Sequence, residues 1–265
     1  MPDAVAWSNA GSERPEMNKI LIVGKTVGGL LAAVAMSCQA AGNSIAGENG
    51  AAGSNASSVV IVNGKNVSSS GDSVVGQGPV KEEVRPAAGF DAVKIEGLID
   101  VTYTISTTPS VRLQAQQNIL PLITVEVAAG QLILSTNRSF STSTPIRALI
   151  SGPSPVAVQV NGSGSFVGTG LAGAALQLRT AGSGNIKASG SVDAVNVGVA
   201  GSGDVDIVGI KAKSADIQIR GSGDVHAYAS QSARVAISGS GDVRIKGSPP
   251  KRNVERAGSG EVTFE

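Results

Sequence analysis

The 265-residue chain holds one cysteine, so no disulfide can form within it, and one histidine, which excludes a multi-histidine metal centre and narrows histidine-based chemistry to a single position. Aromatic residues are scarce, with four Phe, two Tyr and one Trp. Charged residues make up 15%, against roughly 25% in an ordinary soluble domain, which argues against a helical enzyme domain. A net charge of +1 supplies no field to draw in nucleic acid or an anionic membrane. Apart from one stretch near the start, no apolar run is long enough to cross a bilayer. What the chain has in excess is glycine: 35 residues, nearly double the usual share of roughly 7%. Turns and strands should dominate, and the length suits one domain of up to about 200 residues with appendages.

The first appendage, residues 1–38, reads as an export signal. A short positive segment, Met17-Asn18-Lys19, precedes the apolar stretches Ile20-Leu21-Ile22-Val23 and Leu30-Leu31-Ala32-Ala33-Val34-Ala35, and small residues close them. Residues 1–16, with Trp7, Glu13, Arg14 and Glu16, make a poor leading segment, so Met17 is a candidate true start. Gly24-Lys25-Thr26 does not end a phosphate-binding loop, because Lys19 stands where that loop needs its first Gly. Cys38 has two readings. In Ala35-Met36-Ser37-Cys38 it resembles the acylated cysteine of a bacterial lipobox; alternatively, a signal peptidase cuts after Ala40 or Ala41. Either way the chain is expected to be exported, to the periplasm, outer membrane or surface of a bacterium, free or tethered by a lipid on Cys38.

Residues 39–84 form a spacer. Up to residue 58 it is Ala, Gly, Ser and Asn with few exceptions and one charge, Glu48, too little apolar surface to offset its ordering entropy. Within it, Val59 to Val67 reads as a small hairpin on an Asn63-Gly64 turn. From Phe90 onward β-branched residues alternate with polar ones: Val93 and Ile95; Ile99, Val101, Tyr103 and Ile105; Val111 and Leu113; Val125 and Val127; Leu132 and Leu134. A stretch near Gln114 to Leu122 is ambiguous and is interrupted by Pro121. The body, residues 85–265, is all-β.

Gly-Ser-Gly recurs six times in that body, at Gly162 and Gly164, Gly182 and Gly184, Gly201 and Gly203, Gly221 and Gly223, Gly239 and Gly241, and Gly258 and Gly260, at intervals of 20, 19, 20, 18 and 19 residues. Such a period marks a parallel β-solenoid, one supersecondary unit per coil. Four and two residues before each triplet, and four after it, the positions are mostly Val, Ile or Leu, so two short strands with one apolar face each meet at a glycine corner. Gly is needed there because the bend opposes a Cβ and stacked corners approach closely. The apolar residues should line a narrow, dry lumen with no ligand cavity. Gly97 has the same apolar offsets, with Val93 and Ile95 before it and Val101 and Tyr103 after it, so the solenoid is expected to start near Phe90 with a degenerate coil. Parallel crossovers favour the right-handed sense, as in a β-helix.

Together with Phe90-Asp91-Ala92-Val93-Lys94-Ile95, Ile119 to Val127, Gly130-Gln131-Leu132-Ile133-Leu134 and the Gly-Ser-Gly-Asp-Val series, residues 85–265 resemble the bacterial auto-transporter adhesin, head GIN domain family, a domain of unknown function. The resemblance implies an exported β-helix-like domain behind a signal or lipoprotein peptide. It carries over no catalytic residue.

The third position after each corner Gly holds Ser165, Asn185, Asp204, Asp224, Asp242 and Glu261. These side chains should face water or hydrogen-bond the turn, since stacked carboxylates repel if desolvated; one acid per corner falls short of a calcium roll. No metal or cofactor is expected. Asp204, Asp206, Asp224 and His226 are the candidates for a carbohydrate-active enzyme, with Tyr228 as the nearby aromatic. Lys211, Lys213, Arg220, Lys246, Lys251 and Arg252 are scattered among acids, which reads as a solvated surface and not a nucleic-acid patch. Ser139 to Thr144 reads as a loop. The leading expectation is a non-enzymatic adhesin or interaction scaffold that meets an envelope or surface ligand, protein or glycan, on its long β faces. Its open end near Phe264 could add a strand from another copy. The alternative is a polysaccharide lyase or hydrolase on the same scaffold.

Overall fold

The computed structural model describes residues 60–62, 65–67 and 73–265. The signal at 1–38, Met17, Cys38, the tether at 39–58 and the Asn63-Gly64 turn lie outside the described residues. Strands β1 (Val60–Val62) and β2 (Lys65–Val67) do pair antiparallel, with Val62 opposite Lys65.

The remaining strands are β3 (Val74–Val75), β4 (Val80–Arg85), β5 (Ala92–Gly97), β6 (Asp100–Ile105), β7 (Ser110–Gln116), β8 (Ile123–Ala128), β9 (Gln131–Thr136), β10 (Phe140–Ser141) and β11 (Arg147–Gly152), followed by β12 (Ala157–Gly162), β13 (Ser165–Gly182), β14 (Asn185–Gly201), β15 (Val205–Gly221), β16 (Val225–Gly239), β17 (Val243–Lys246), β18 (Lys251–Gly258) and β19 (Val262–Phe264). The ambiguous stretch resolves into β7 and a 3-10 turn at Leu120–Leu122, with Pro121 in that turn.

From β12 to β19 every pairing is parallel, and the chain is a β-solenoid with the period read from the triplets. Val158, Leu178, Val197, Ile217, Val235 and Val254 stack as one column, and the corner glycines Gly162, Gly182, Gly201, Gly221, Gly239 and Gly258 stack as another. Each coil therefore has one arm before its triplet and one after it. The two short strands expected per coil are instead one bent strand in β13 to β16. Pairing continues around the bend, with register shifts such as that between Gly168 and Leu171, because continued pairing keeps the backbone groups satisfied.

The alternation in sequence becomes alternation in burial: Val205, Ile207, Ile217, Ile219, Val225 and Val235 are all at most 1% exposed. Each such side chain contributes about 1.5–3 kcal/mol on leaving water. Thr180 is the one buried polar residue among those described, and its hydroxyl donates to the Gly184 carbonyl at 2.6 Å. Size complementarity closes the lumen: the Phe166 ring fills the space where a Cβ on Gly168 would sit.

The corner at Gly221 illustrates the glycine requirement. Its φ is +138°, a conformation that L side chains rarely adopt, and a Cβ there would come within 3.0 Å of the Gly201 carbonyl oxygen one coil below. Gly223 has no such φ, but its Cβ would collide with the Gly203 carbonyl oxygen. The turn amides are satisfied by the coil below, as where the Ser222 N–H donates to the Gly201 carbonyl at 2.8 Å.

The degenerate coil around Gly97 forms in the register its offsets imply, with Val93, Ile95 and Gly97 opposite Val158, Val160 and Gly162, and Val101 opposite Phe166. Beyond it the regular solenoid stops. β9 and β11 continue the two arms for one more layer, parallel to β5 and β6, and antiparallel strands then cover them: β8 on β9, and β7 followed by β4 on β11. Residues 85–152 are thus a mixed cap and not solenoid throughout. Antiparallel strands end a parallel stack without leaving its lumen open, and Ala115, Ile119, Leu120 and Ile123 are buried there. Tyr103 is 1% exposed, packs against Phe166 at a ring-centroid distance of 5.9 Å and donates to the Pro153 carbonyl. Burial pushes its pKa from 10.0 up to about 12.

Candidate functional site

The polar residues after the corners face water as expected, with Asn185, Asp204, Asp224, Asp242 and Glu261 exposed, and they form a ladder. They hydrogen-bond the next coil instead of their own turn. Asn185 Oδ1 accepts from the Asp204 N–H at 2.9 Å, Asp204 Oδ1 from the Asp224 N–H at 2.9 Å, Asp224 Oδ1 from the Asp242 N–H at 2.8 Å, and Asp242 Oδ1 from the Glu261 N–H at 2.8 Å. At the start of the row the Ser165 hydroxyl bonds Asp100 Oδ1. The ladder ties coils together at corners where the strand pairing lapses. Among the described residues, no group of three or more His, Cys, Asp or Glu is placed to hold a metal ion.

This ladder also separates the enzymatic candidates. Asp204 and Asp224 belong to it, whereas Asp206 and His226 sit side by side in another row on the arm after the corner, flanked by Lys187 and Arg244. Lys187 pairs with Asp206 at 3.3 Å. Arg244 lies 3.2 Å from His226 Nε2, and since a guanidinium can only donate, that nitrogen accepts. Arg244 and Lys246 also face Glu265, at 3.4 and 3.8 Å. The shallow hollow so formed is lined by charges already paired with one another. Tyr228 carries the Lys211 ammonium over its ring at 4.3 Å.

The other basic residues are spread out. Lys213 pairs with Asp193 at 2.7 Å, and Arg252 donates to the Pro249 carbonyl and stacks over Phe264 at 4.4 Å. In the last coil, Arg252 stands in the column of Ala215 and Ala233, and Arg256 in that of Ile219 and Ile237. Both are exposed, and charges on the last strand discourage another strand from adding to that edge. Ser139 to Thr144 is more ordered than a plain loop: Phe140 and Ser141 form β10 and pair with β3, and the Thr142 hydroxyl bonds Gln116 and Thr144.

The lumen is closed, but the outside of the solenoid is not featureless. A trough of about 900 Å³ runs along the coils where the arm before the triplet begins. Its floor is a column of small residues, Ala175, Ala194, Ser214 and Ser232, ending at Lys251. Alongside stand Gln177, Asn196, Asp216, Arg234 and Asn253. The character changes along its length, from Val156, Ala172 and Ala174 at one end to Arg234, Lys251 and Arg252 at the other. Five coils at about 4.8 Å span roughly 19 Å. One oxygen of Asp216 is buried without a hydrogen-bond partner. Sequence reasoning missed this feature, although its signal is present: a small residue stands seven positions before four of the six triplets.

Two crystal structures share the fold. A "putative adhesin" from Bacteroides fragilis NCTC 9343 is 20% identical, with a TM-score of 0.59 over 72% of this chain and 100% of that one. A "putative lipid binding protein" from Parabacteroides distasonis ATCC 8503 is also 20% identical, with a TM-score of 0.51 over 72% of this chain and 99% of that one. No curated protein matches the chain. Residues 89–249, most of the described solenoid and its cap, match a family profile, and the chain belongs to the family described as "Putative auto-transporter adhesin, head GIN domain".

Proposed function

We propose that this chain is a non-enzymatic, adhesin-like binding module of the bacterial cell envelope that holds a surface ligand on the outside of its solenoid, along the trough. The trough is the observation that carries the reading. The interior is filled, so a ligand can meet only outer surfaces, and among these the trough is long, concave and lined by small residues. Family membership supports the adhesin-like role. Export by residues 1–38, with or without acylation of Cys38, would place the module at the envelope.

The lyase or hydrolase alternative needs two carboxyls facing a substrate, one of them with a raised pKa. Asp204 and Asp224 are engaged as acceptors of backbone N–H groups and Asp206 pairs with Lys187, which favours binding over catalysis. Self-association through the end near Phe264 would bury Arg252 and Arg256 at a desolvation cost, which directs recognition to the outer face instead.

Beads coated with the chain, passed over immobilised peptidoglycan, mucin-type glycoprotein and phospholipid bilayers, test the reading. Ser214→Trp and Ser232→Trp fill the trough from outside. Retention on at least one surface that falls at least about tenfold in these variants supports it. Equal retention of filled and unfilled chains, or retention on none, overturns it, as would turnover of a polysaccharide abolished by Asp206→Ala or His226→Ala.

A further inference from the structure

A second hollow, of about 360 Å³, lies beside the trough on the same outer face, on the arm before each triplet. Its floor is Gly198 and Ala200 on the third coil, with Ala181 below Ala200, so Gly198 leaves a gap between Arg179 and Gln218 on the neighbouring coils. Arg179 stands one coil below Gly198, opposite it in register, and Arg220 one coil above Ala200. The two guanidinium-bearing residues are therefore two coils apart, roughly 10 Å along the axis. Both are exposed, and among the described residues neither has a carboxylate within ion-pair distance. The amides of Gln159, Asn161, Gln177, Asn196 and Gln218 complete the rim, and Gln159 Nε2 donates to Asn161 Oδ1 at 3.1 Å.

The glycine is the informative residue. Gly198 does not adopt a left-handed φ, and a Cβ added to it would meet only Arg179 Cγ, at an ordinary 3.5 Å. The corner glycines are demanded by the backbone, but this one is not. A side chain would fit the fold and fill the hollow.

We propose that this hollow is a subsite for an acidic oligosaccharide: Arg179 and Arg220 pair with carboxylates on separate sugar units, and the amides of the rim read the hydroxyls between them. An amide both donates and accepts, as a hydroxyl does, so a rim of amides matches a polyol, and guanidinium forks match carboxylates. The hollow has no aromatic wall on which a nucleobase could stack and no apolar well for a peptide side chain. The inference deepens the adhesin-like reading by naming a ligand class.

Isothermal titration calorimetry of the purified chain with tetragalacturonate, neutral maltotetraose and a hexaglutamate peptide tests it. The expected result is binding of tetragalacturonate at least about tenfold tighter than of either control, weakened by salt. Gly198→Leu, with an unchanged melting temperature, and the Arg179→Ala/Arg220→Ala pair should each lose at least about tenfold. Should Gly198→Leu fail to fold, the arginine pair decides. Equal affinity for the neutral tetramer or the peptide, full affinity in the folded variants, or no binding of tetragalacturonate overturns the proposal. Retention on envelope surfaces that depends on Ser214 without uronate binding would overturn this inference alone and leave the adhesin-like reading standing.

Discussion

Replacing Gly223 by alanine isolates one of the two demands that stacking makes at a corner. The backbone at Gly223 is not left-handed, so a Cβ adds no torsional strain, yet it would collide with the Gly203 carbonyl and sit 3.0 Å from Val199 Cγ1. The first of these neighbours is backbone held in the coil below, which cannot move aside without shifting a strand, so the overpacking cost is about 1–3 kcal/mol. At Gly221 the same kind of clash, with the Gly201 carbonyl, is joined by a φ of +138°, which adds about 1–3 kcal/mol. Ser222 between them is exposed, and its alanine variant should stay within about 0.5 kcal/mol of the parent. Urea unfolding of the three single variants, followed by far-ultraviolet circular dichroism, should therefore rank Gly221→Ala below Gly223→Ala and both below Ser222→Ala. Because the lesion lies between coils, the lost stability is interface energy, and hydrogen exchange should quicken in the coils on either side of it. A Gly223→Ala chain as stable as Ser222→Ala would refute the claim that close stacking fixes the second glycine. A Gly221→Ala chain more stable than Gly223→Ala would refute the claim that torsion adds to it.

Asp224→Ala removes the acceptor of the Asp242 N–H and should cost about 1 kcal/mol in the same unfolding assay, whereas Asp224→Asn keeps a carbonyl oxygen, as Asn185 does, and should stay close to the parent. Tyr103 makes the fold sensitive to alkali: its folded pKa of about 12 lies above the unfolded value of 10.0, so its contribution is fully present below pH 10 and is lost as pH rises towards 12. That contribution is at most about 3 kcal/mol. Melting temperatures taken across that window should fall more steeply for the parent than for Tyr103→Phe, and a Tyr228→Phe chain, in which Tyr103 is the sole tyrosine, should show phenolate absorbance rising only near pH 12. Cys38→Ala should release the chain from the membrane fraction of the producing cell if Cys38 is acylated; unchanged fractionation favours cleavage after Ala40 or Ala41.

The solenoid was legible because its physics repeats. Stacking forces every coil to place glycine at the corner and apolar residues at fixed offsets around it, and the same offsets exposed the coil at Gly97, where only one glycine of the triplet remains. The cap was not legible. β7 and β8 read as alternating strands like any others, β4 falls almost wholly within the stretch read as a spacer, and nothing local distinguishes a strand that will pair antiparallel from one that will stack parallel, since partner choice is a long-range decision. Asp204 and Asp206 are two residues apart and looked like one cluster, but one lies at the corner and the other on the arm, where each finds its partner on a neighbouring coil.

The sequence by itself determined the period, the corners, the apolar lining and the family, because each depends on residue type at a recurring position. Only the tertiary structure decided which outer residues lie next to one another. Ala175, Ala194, Ser214 and Ser232 become a trough, and Arg179, Gly198 and Arg220 a hollow, because stacking brings residues about 20 positions apart in the chain to about 4.8 Å in space. Concavity comes from the bend of the arms and the missing bulk of several coils at once, a property no single coil possesses.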